Sequence, residues 1–161
     1  MKICKPHLLL LLIIVSIALL LVFYIYNKTP NPKTTIKNFF DMKSALYENY
    51  DNIVSGLFLQ EDVDIFLGNF KPLLSEKVYD GLIASRYLIN SNLVSGKFDK
   101  SKINIKRWEK ISKDKTNVKY LIEYTEKLYS NETIIEEYTD VSEFKLEYID
   151  GKWIITSIYI Y

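Results

Sequence analysis

The stretch Phe144–Tyr161, FKLEYIDGKWIITSIYIY, decides the fold. Apolar and polar residues alternate on both sides of Asp150-Gly151. That dipeptide between two alternating runs is the strongest short signal for a hairpin, because a type I′ turn needs positive φ at both central positions. Counting outward from the turn pairs Ile149 with Lys152, Tyr148 with Trp153, Leu146 with Ile155 and Phe144 with Ser157. Phe144, Leu146, Tyr148, Trp153, Ile155 and Tyr159 then share one face. Lys145, Glu147, Ile154, Thr156, Ile158 and Ile160 share the other. The aromatic face is expected to pack inward, since a slip of one residue would turn all of those large side chains to solvent. Ile154, Ile158 and Ile160 are left on the outer face as a candidate interface for a bent sheet, a partner or a second copy.

Upstream of the hairpin the period is also two. Val118, Tyr120, Ile122 and Tyr124 fall on one face of NVKYLIEYTEKL, with Lys119, Leu121, Glu123 and Thr125 on the other. Ile103, Ile105 and Arg107 alternate with Asn104, Lys106 and Trp108. TIIEEYTDVSEFKLEYI is a long strand, with a bulge expected around Asp140 to Ser142. Before Lys102 the period is helical. Ile36, Phe39, Phe40, Lys43, Leu46, Tyr47, Tyr50, Ile53, Val54, Leu57 and Phe58 follow the i, i+3, i+4, i+7 rule, with Lys43 the one polar break. Thr34 or Thr35 is the expected cap. A short second helix fits EDVDIFLGNF. A third starts at Ser75 with a stripe of Val78, Tyr79, Leu82, Ile83, Arg86 and Tyr87, and NSNLVSGKFDKSK reads as the loop out of the helices.

The N-terminal part has a different composition. Leu8 to Tyr26, LLLLLIIVSIALLLVFYIY, carries no charge. At about 1.5 Å per residue it nearly covers the ~30 Å hydrocarbon core of a bilayer. The run exceeds the h-region of a cleaved signal peptide, and no small-residue cleavage site follows it. The expected organisation is a cytoplasmic head (residues 1–7), a transmembrane signal-anchor (8–26), a linker NKTPNP (27–32) and a domain (33–161). Lysines flank the span on both sides, but long domains translocate largely regardless of flanking charge. The expected location is therefore the cell membrane, single-pass, with the domain outside the cytoplasm.

The whole chain has 21 lysines and arginines against 20 aspartates and glutamates. This balance gives no basic patch of the kind that binds nucleic acid. Lys, Ile, Asn and Tyr, residues with AT-rich codons, are abundant, which fits a bacterial source. The one histidine, His7, and the one cysteine, Cys4, both precede the domain. Within one chain the domain therefore lacks the side chains for serine–histidine or cysteine–histidine catalysis and for nitrogen- or sulfur-ligated zinc. No glycine-rich phosphate loop is present. Cofactors, metal ligands and catalytic residues are all expected to be none.

Helices followed by about four antiparallel strands make an α+β arrangement. Over Thr34–Tyr161 this element order, FKPLLSEKVYDGL leading into the third helix, and the closing EYIDGKWIITSIYIY resemble the nuclear transport factor 2-like superfamily, which includes ketosteroid-isomerase-like and SnoaL-like domains. The resemblance implies a curved sheet wrapped around a long helix into a cone with a pocket. A membrane span directly before such a domain also looks like single-span assembly subunits of conjugative type IV secretion, and equally like small anchored domains of Gram-positive bacteria.

Two functions are compatible with these residues. The first is a membrane-anchored, extracytoplasmic interaction domain with a protein partner or a homo-oligomeric state. The second is a small-ligand or isomerase-type pocket. Its candidate lining is Tyr120, Tyr124, Tyr138 and Trp153, and its carboxylates come from Glu136, Glu137 and Asp140 or from Glu123 and Glu126. Acids alternating on a strand are ordinarily on a solvated face, and that is the expectation for all five.

Overall fold

The computed structural model describes residues 15–17, 31–49 and 65–161. The chain divides into two units, residues 1–31 and 32–161. In the first, residues 15–17 are helical, and the rest of the expected span 8–26 lies outside the described residues. Among the described residues no helix is long and apolar enough to cross a membrane. The expected helical residues from Tyr50 to Phe58 also lie outside them.

The second unit is α+β. Helix α1 runs Pro32–Glu48. A helical turn at residues 65–68 and a 3₁₀ turn Lys71–Leu73 lead to α2, Glu76–Ala84, and α3, Ser91–Val94. Strands β1 (Lys100–Lys113), β2 (Asn117–Ser130), β3 (Thr133–Ile149) and β4 (Lys152–Ile160) follow. They form one antiparallel sheet in sequence order.

Helix α1 starts earlier than the expected Thr34 or Thr35 cap. Pro32 is its first residue, where the fixed φ suits a helix and the missing N–H is no loss. Thr35 lies inside the first turn, and its hydroxyl donates to the Trp153 carbonyl (3.3 Å), tying α1 to β4. The apolar spacing of α1 buries Ile36, Phe39, Phe40, Leu46 and Tyr47, a single stripe that can meet the sheet. The segment read as a loop after Tyr87 contains α3. Its cap is Asn90, whose side-chain oxygen accepts from the Leu93 N–H (3.0 Å), the arrangement that makes asparagine a favoured N-cap. Helix α2 ends in a Schellman motif: the Tyr87 N–H bonds the Leu82 carbonyl and the Arg86 N–H bonds the Ile83 carbonyl. Arg86 takes the left-handed position (φ 57°) that glycine usually fills. The motif reverses the chain and brings Tyr87 back against the core.

The closing hairpin is as its turn requires. Asp150 and Gly151 have φ of 48° and 80°. Gly151→Ala is expected to cost about 1 kcal/mol, because the left-handed region crowds a Cβ against the next carbonyl although nothing else lies near it. Urea denaturation of the two proteins would measure this.

The pairing of β3 with β4 holds as counted from Ile149–Lys152 to Leu146–Ile155 and then shifts. A bulge at Thr156 gives Lys145–Ser157 and Phe144–Ile158 in place of Phe144–Ser157. Every residue beyond it changes face. Ile158 moves to the core side, packed against the buried cluster, and Tyr159 moves out and is 61% exposed. The expected outer row of three isoleucines is therefore not formed. Ile154 keeps that face, and Ile160 lies opposite the buried Ser142. The bulge expected at Asp140 to Ser142 is absent, because β2 and β3 pair without interruption there. Other irregularities occur between Leu128 and Tyr129 and twice along β1.

The core lies between α1 and the inner face of the sheet. Phe39 meets Phe40, Phe70 and Phe144 edge-on, and Phe40 also meets Tyr124 and Phe144. Val118, Ile122, Leu128, Leu146 and Ile155 complete the inner layer.

Candidate functional site

The alternation that buries Val118, Tyr120, Ile122 and Tyr124 continues inward through Glu126 to Leu128. Glu126 is 0% exposed, contrary to the expectation of a solvated face. On α1, Lys43 holds a position in the apolar stripe and is also buried. The two side chains meet: Lys43 Nζ lies 2.8 Å from Glu126 Oε2. The other carboxylate oxygen accepts from the Ser101 hydroxyl (2.7 Å), which β1 supplies. A charge with no water around it is tolerated only when paired and hydrogen-bonded, and three elements converge here to meet that condition.

Tyrosines surround the pair. Tyr138 stands directly opposite Glu126 across β2 and β3. Its phenol is pushed well above the usual range, by burial first and then by the charge of, and hydrogen bonding to, the Glu126 carboxylate. Lys43 Nζ lies over the Tyr87 ring, 4.8 Å from its centroid, a favourable cation–π position. The Tyr87 and Tyr124 hydroxyls are 3.5 Å apart, and burial pushes the Tyr124 phenol up. Tyr47 reaches the Asn90 side chain at 3.5 Å. The Ser142 hydroxyl is buried near Tyr124 without a hydrogen bond of good geometry.

Burial pushes the phenols of Tyr47 and Tyr87 up to about 12 from 10.0. A folded-state value above the unfolded one gives stability that is fully present below pH 10 and is lost as pH rises towards 12. Tyr87→Phe is expected to flatten that alkaline decline, and Tyr47→Phe to flatten it further. Denaturation midpoints collected across this window would show it.

The four tyrosine and tryptophan positions expected to line a pocket are not gathered into one. Tyr124 and Tyr138 are diagonal neighbours beside the Lys43–Glu126 pair. Tyr120 lies towards the other end of the sheet, opposite Phe144 and edge-on to Trp108 at 5.7 Å. Trp153 pairs with Tyr148 next to the closing turn. Tyr120, Tyr124 and Trp153 are all buried in the core. Of the other acids, Glu136 and Glu137 are exposed, with Glu137 3.2 Å from Lys127. Glu123 lies 3.5 Å from Arg107. Asp140 is half-buried opposite Tyr124.

The cluster is thus an acid whose two oxygens are both engaged, set among phenols held in their neutral form. It can lock α1 onto β1 and β2. It presents no carboxylate to a ligand. Among the described residues no group of three or more histidine, cysteine, aspartate or glutamate side chains is gathered to hold a metal ion.

A second feature lies along β4. A cleft of about 360 Å³ lies between Thr156–Ile160 and α2, with Lys77, Gly81, Leu82, Ser85 and Tyr87 lining its other side. Sequence reading gave no signal for it, since it depends on the bulge at Thr156 and on the Schellman turn after α2. Compared with known proteins, the chain matches no family model and no curated protein.

Proposed function

We propose that the chain is a membrane-anchored protein-interaction domain, displayed outside the cytoplasm by the apolar segment at residues 8–26, with a nuclear transport factor 2-like arrangement of helices and sheet. One observation carries the reading: Phe39, Phe40, Phe70, Tyr124 and Phe144 pack together in the core between α1 and the sheet, and the one fully buried carboxylate, among the described residues, is engaged by Lys43 and Ser101. A binding surface then has to lie outside the core. The isomerase-type alternative needs a carboxylate open to a ligand-sized cavity, and Glu126 has no solvent exposure at all.

Protease treatment of intact spheroplasts tests the display: residues 32–161 should be digested only if they face outward. Photo-crosslinking of the full chain in its own membrane tests the interaction. If no crosslink forms to another protein or to a second copy, the reading is lost.

A further inference from the structure

We propose that the outer edge of β4 and helix α2 form a groove that takes one extended peptide strand of a protein partner, added to the sheet through its backbone. This rests on the reading of the chain as an interaction domain and names the mode of contact.

The backbone geometry points to it. The Tyr161 N–H donates to the Val141 carbonyl (3.1 Å), so Tyr161 faces β3. Antiparallel pairing alternates the direction of successive residues. Tyr159 therefore also faces β3, and Ile158 and Ile160 turn their N–H and C=O groups outward. Before the bulge, Ile155 faces outward too, and there the edge is used: its carbonyl accepts from the Ser75 N–H (2.9 Å), and Leu74 forms a parallel bridge with it. Beyond that bridge the outward groups of Ile158 and Ile160 have no partner among the described residues. Among the described residues the edge is thus extended at one end and unpaired at the other.

Its chemistry differs from that of the opposite edge. β1 carries Lys100, Lys102, Lys106, Lys110 and Lys113, the charges that keep an edge strand from pairing with other chains. Thr156–Ile160 carries no charge. An edge without such protection is a template for strand addition.

The surroundings select the occupant. α2 stands beside the same edge across the cleft. A second copy pairing through the same edge would bring two α2 helices to one seam, which a lone strand avoids. Gly81 contributes no side chain to the wall, and even a Cβ there would touch nothing. Alternate side chains of the incoming strand would face Leu82, Tyr87 and Ile158, so they should be apolar. Lys77 at the rim makes no ion pair among the described residues, and suits an acidic residue at one end.

The test selects a phage-displayed library of short random peptides on the full-length protein in nanodiscs, then measures the winners by fluorescence polarisation. Enriched peptides should alternate apolar residues and carry an acid. N-methylation of every second amide, on the edge-facing side only, should weaken binding about tenfold, a loss on the scale of one or two net hydrogen bonds. Ile160→Pro removes one outward N–H while leaving the β3 ladder intact, and should weaken binding about tenfold with an unchanged denaturation midpoint. If that variant does not fold, the N-methyl series on the unaltered protein decides alone. No enriched peptide, or binding that tolerates N-methylation at every position, overturns strand addition. In that case a crosslinked partner in the native membrane would leave the interaction domain standing with a different surface.

Discussion

Glu126→Ala is expected to lower the stability of the domain by about 3–5 kcal/mol, the usual consequence of stripping one partner from a buried ion pair. The magnitude follows from what would be left. Lys43 Nζ is buried and lies 2.8 Å from Glu126 Oε2; without the carboxylate its nearest compensation is the face of the Tyr87 ring. The Ser101 hydroxyl loses its acceptor as well. Lys43→Met should cost a similar amount, for the opposite reason: a buried carboxylate would remain with Ser101 and Tyr138 as its only neighbours of use. The double variant Lys43→Met/Glu126→Leu should recover most of the loss, because replacing both charges with apolar groups of similar volume is often neutral or better. Urea denaturation of the four proteins completes the cycle. Single variants within about 1 kcal/mol of the parent would mean that water reaches the pair.

That pair also marks how far the residues alone could be read. Lys43 was visible as the polar break in an otherwise apolar helical stripe. Glu126 lies two residues beyond Tyr124 on the same inward parity of β2. A lone charge on each of two faces that must pack together implies that the two charges meet, and the alternation needed only to be carried one step further. The Ser101 contact was less accessible, since it depends on a strand register in β1 that shifts twice. The hairpin was legible from Asp150-Gly151 because that pair favours a type I′ turn between alternating runs. The bulge at Thr156 was not, because nothing in TSIYIY distinguishes a strand with an extra residue from one without. A bulge costs little locally and is chosen by the packing of the whole sheet. Everything that followed from counting past it, including the positions of Ile158 and Tyr159, changed face. The cleft beside α2 could not have been foreseen without that change.

Phe39→Ala should be the most costly truncation in the aromatic core, about 3–5 kcal/mol. Phe39 is 0% exposed and meets three rings edge-on, Phe40, Phe70 and Phe144, at 5.7, 5.7 and 5.8 Å. These rings belong to α1, to the stretch entering the 3₁₀ turn and to β3, so one deletion loosens three segments that are distant in sequence. Edge-on aromatic pairs add about 0.5–1.5 kcal/mol each beyond the area they bury, which places this site near the top of the range. Phe39→Leu keeps most of the volume and should cost much less, about 1.5 kcal/mol. Two further variants calibrate the result against the β4 register. Ile158→Ala should cost about 2 kcal/mol, as expected for an isoleucine packed on the core. Tyr159→Ala should fall within about 0.5 kcal/mol of the parent, as an exposed side chain does. A strand without the bulge would reverse those last two values. The order Phe39, Ile158, Tyr159 in unfolding midpoints therefore tests the packing of α1 and the face assignment of the final strand together.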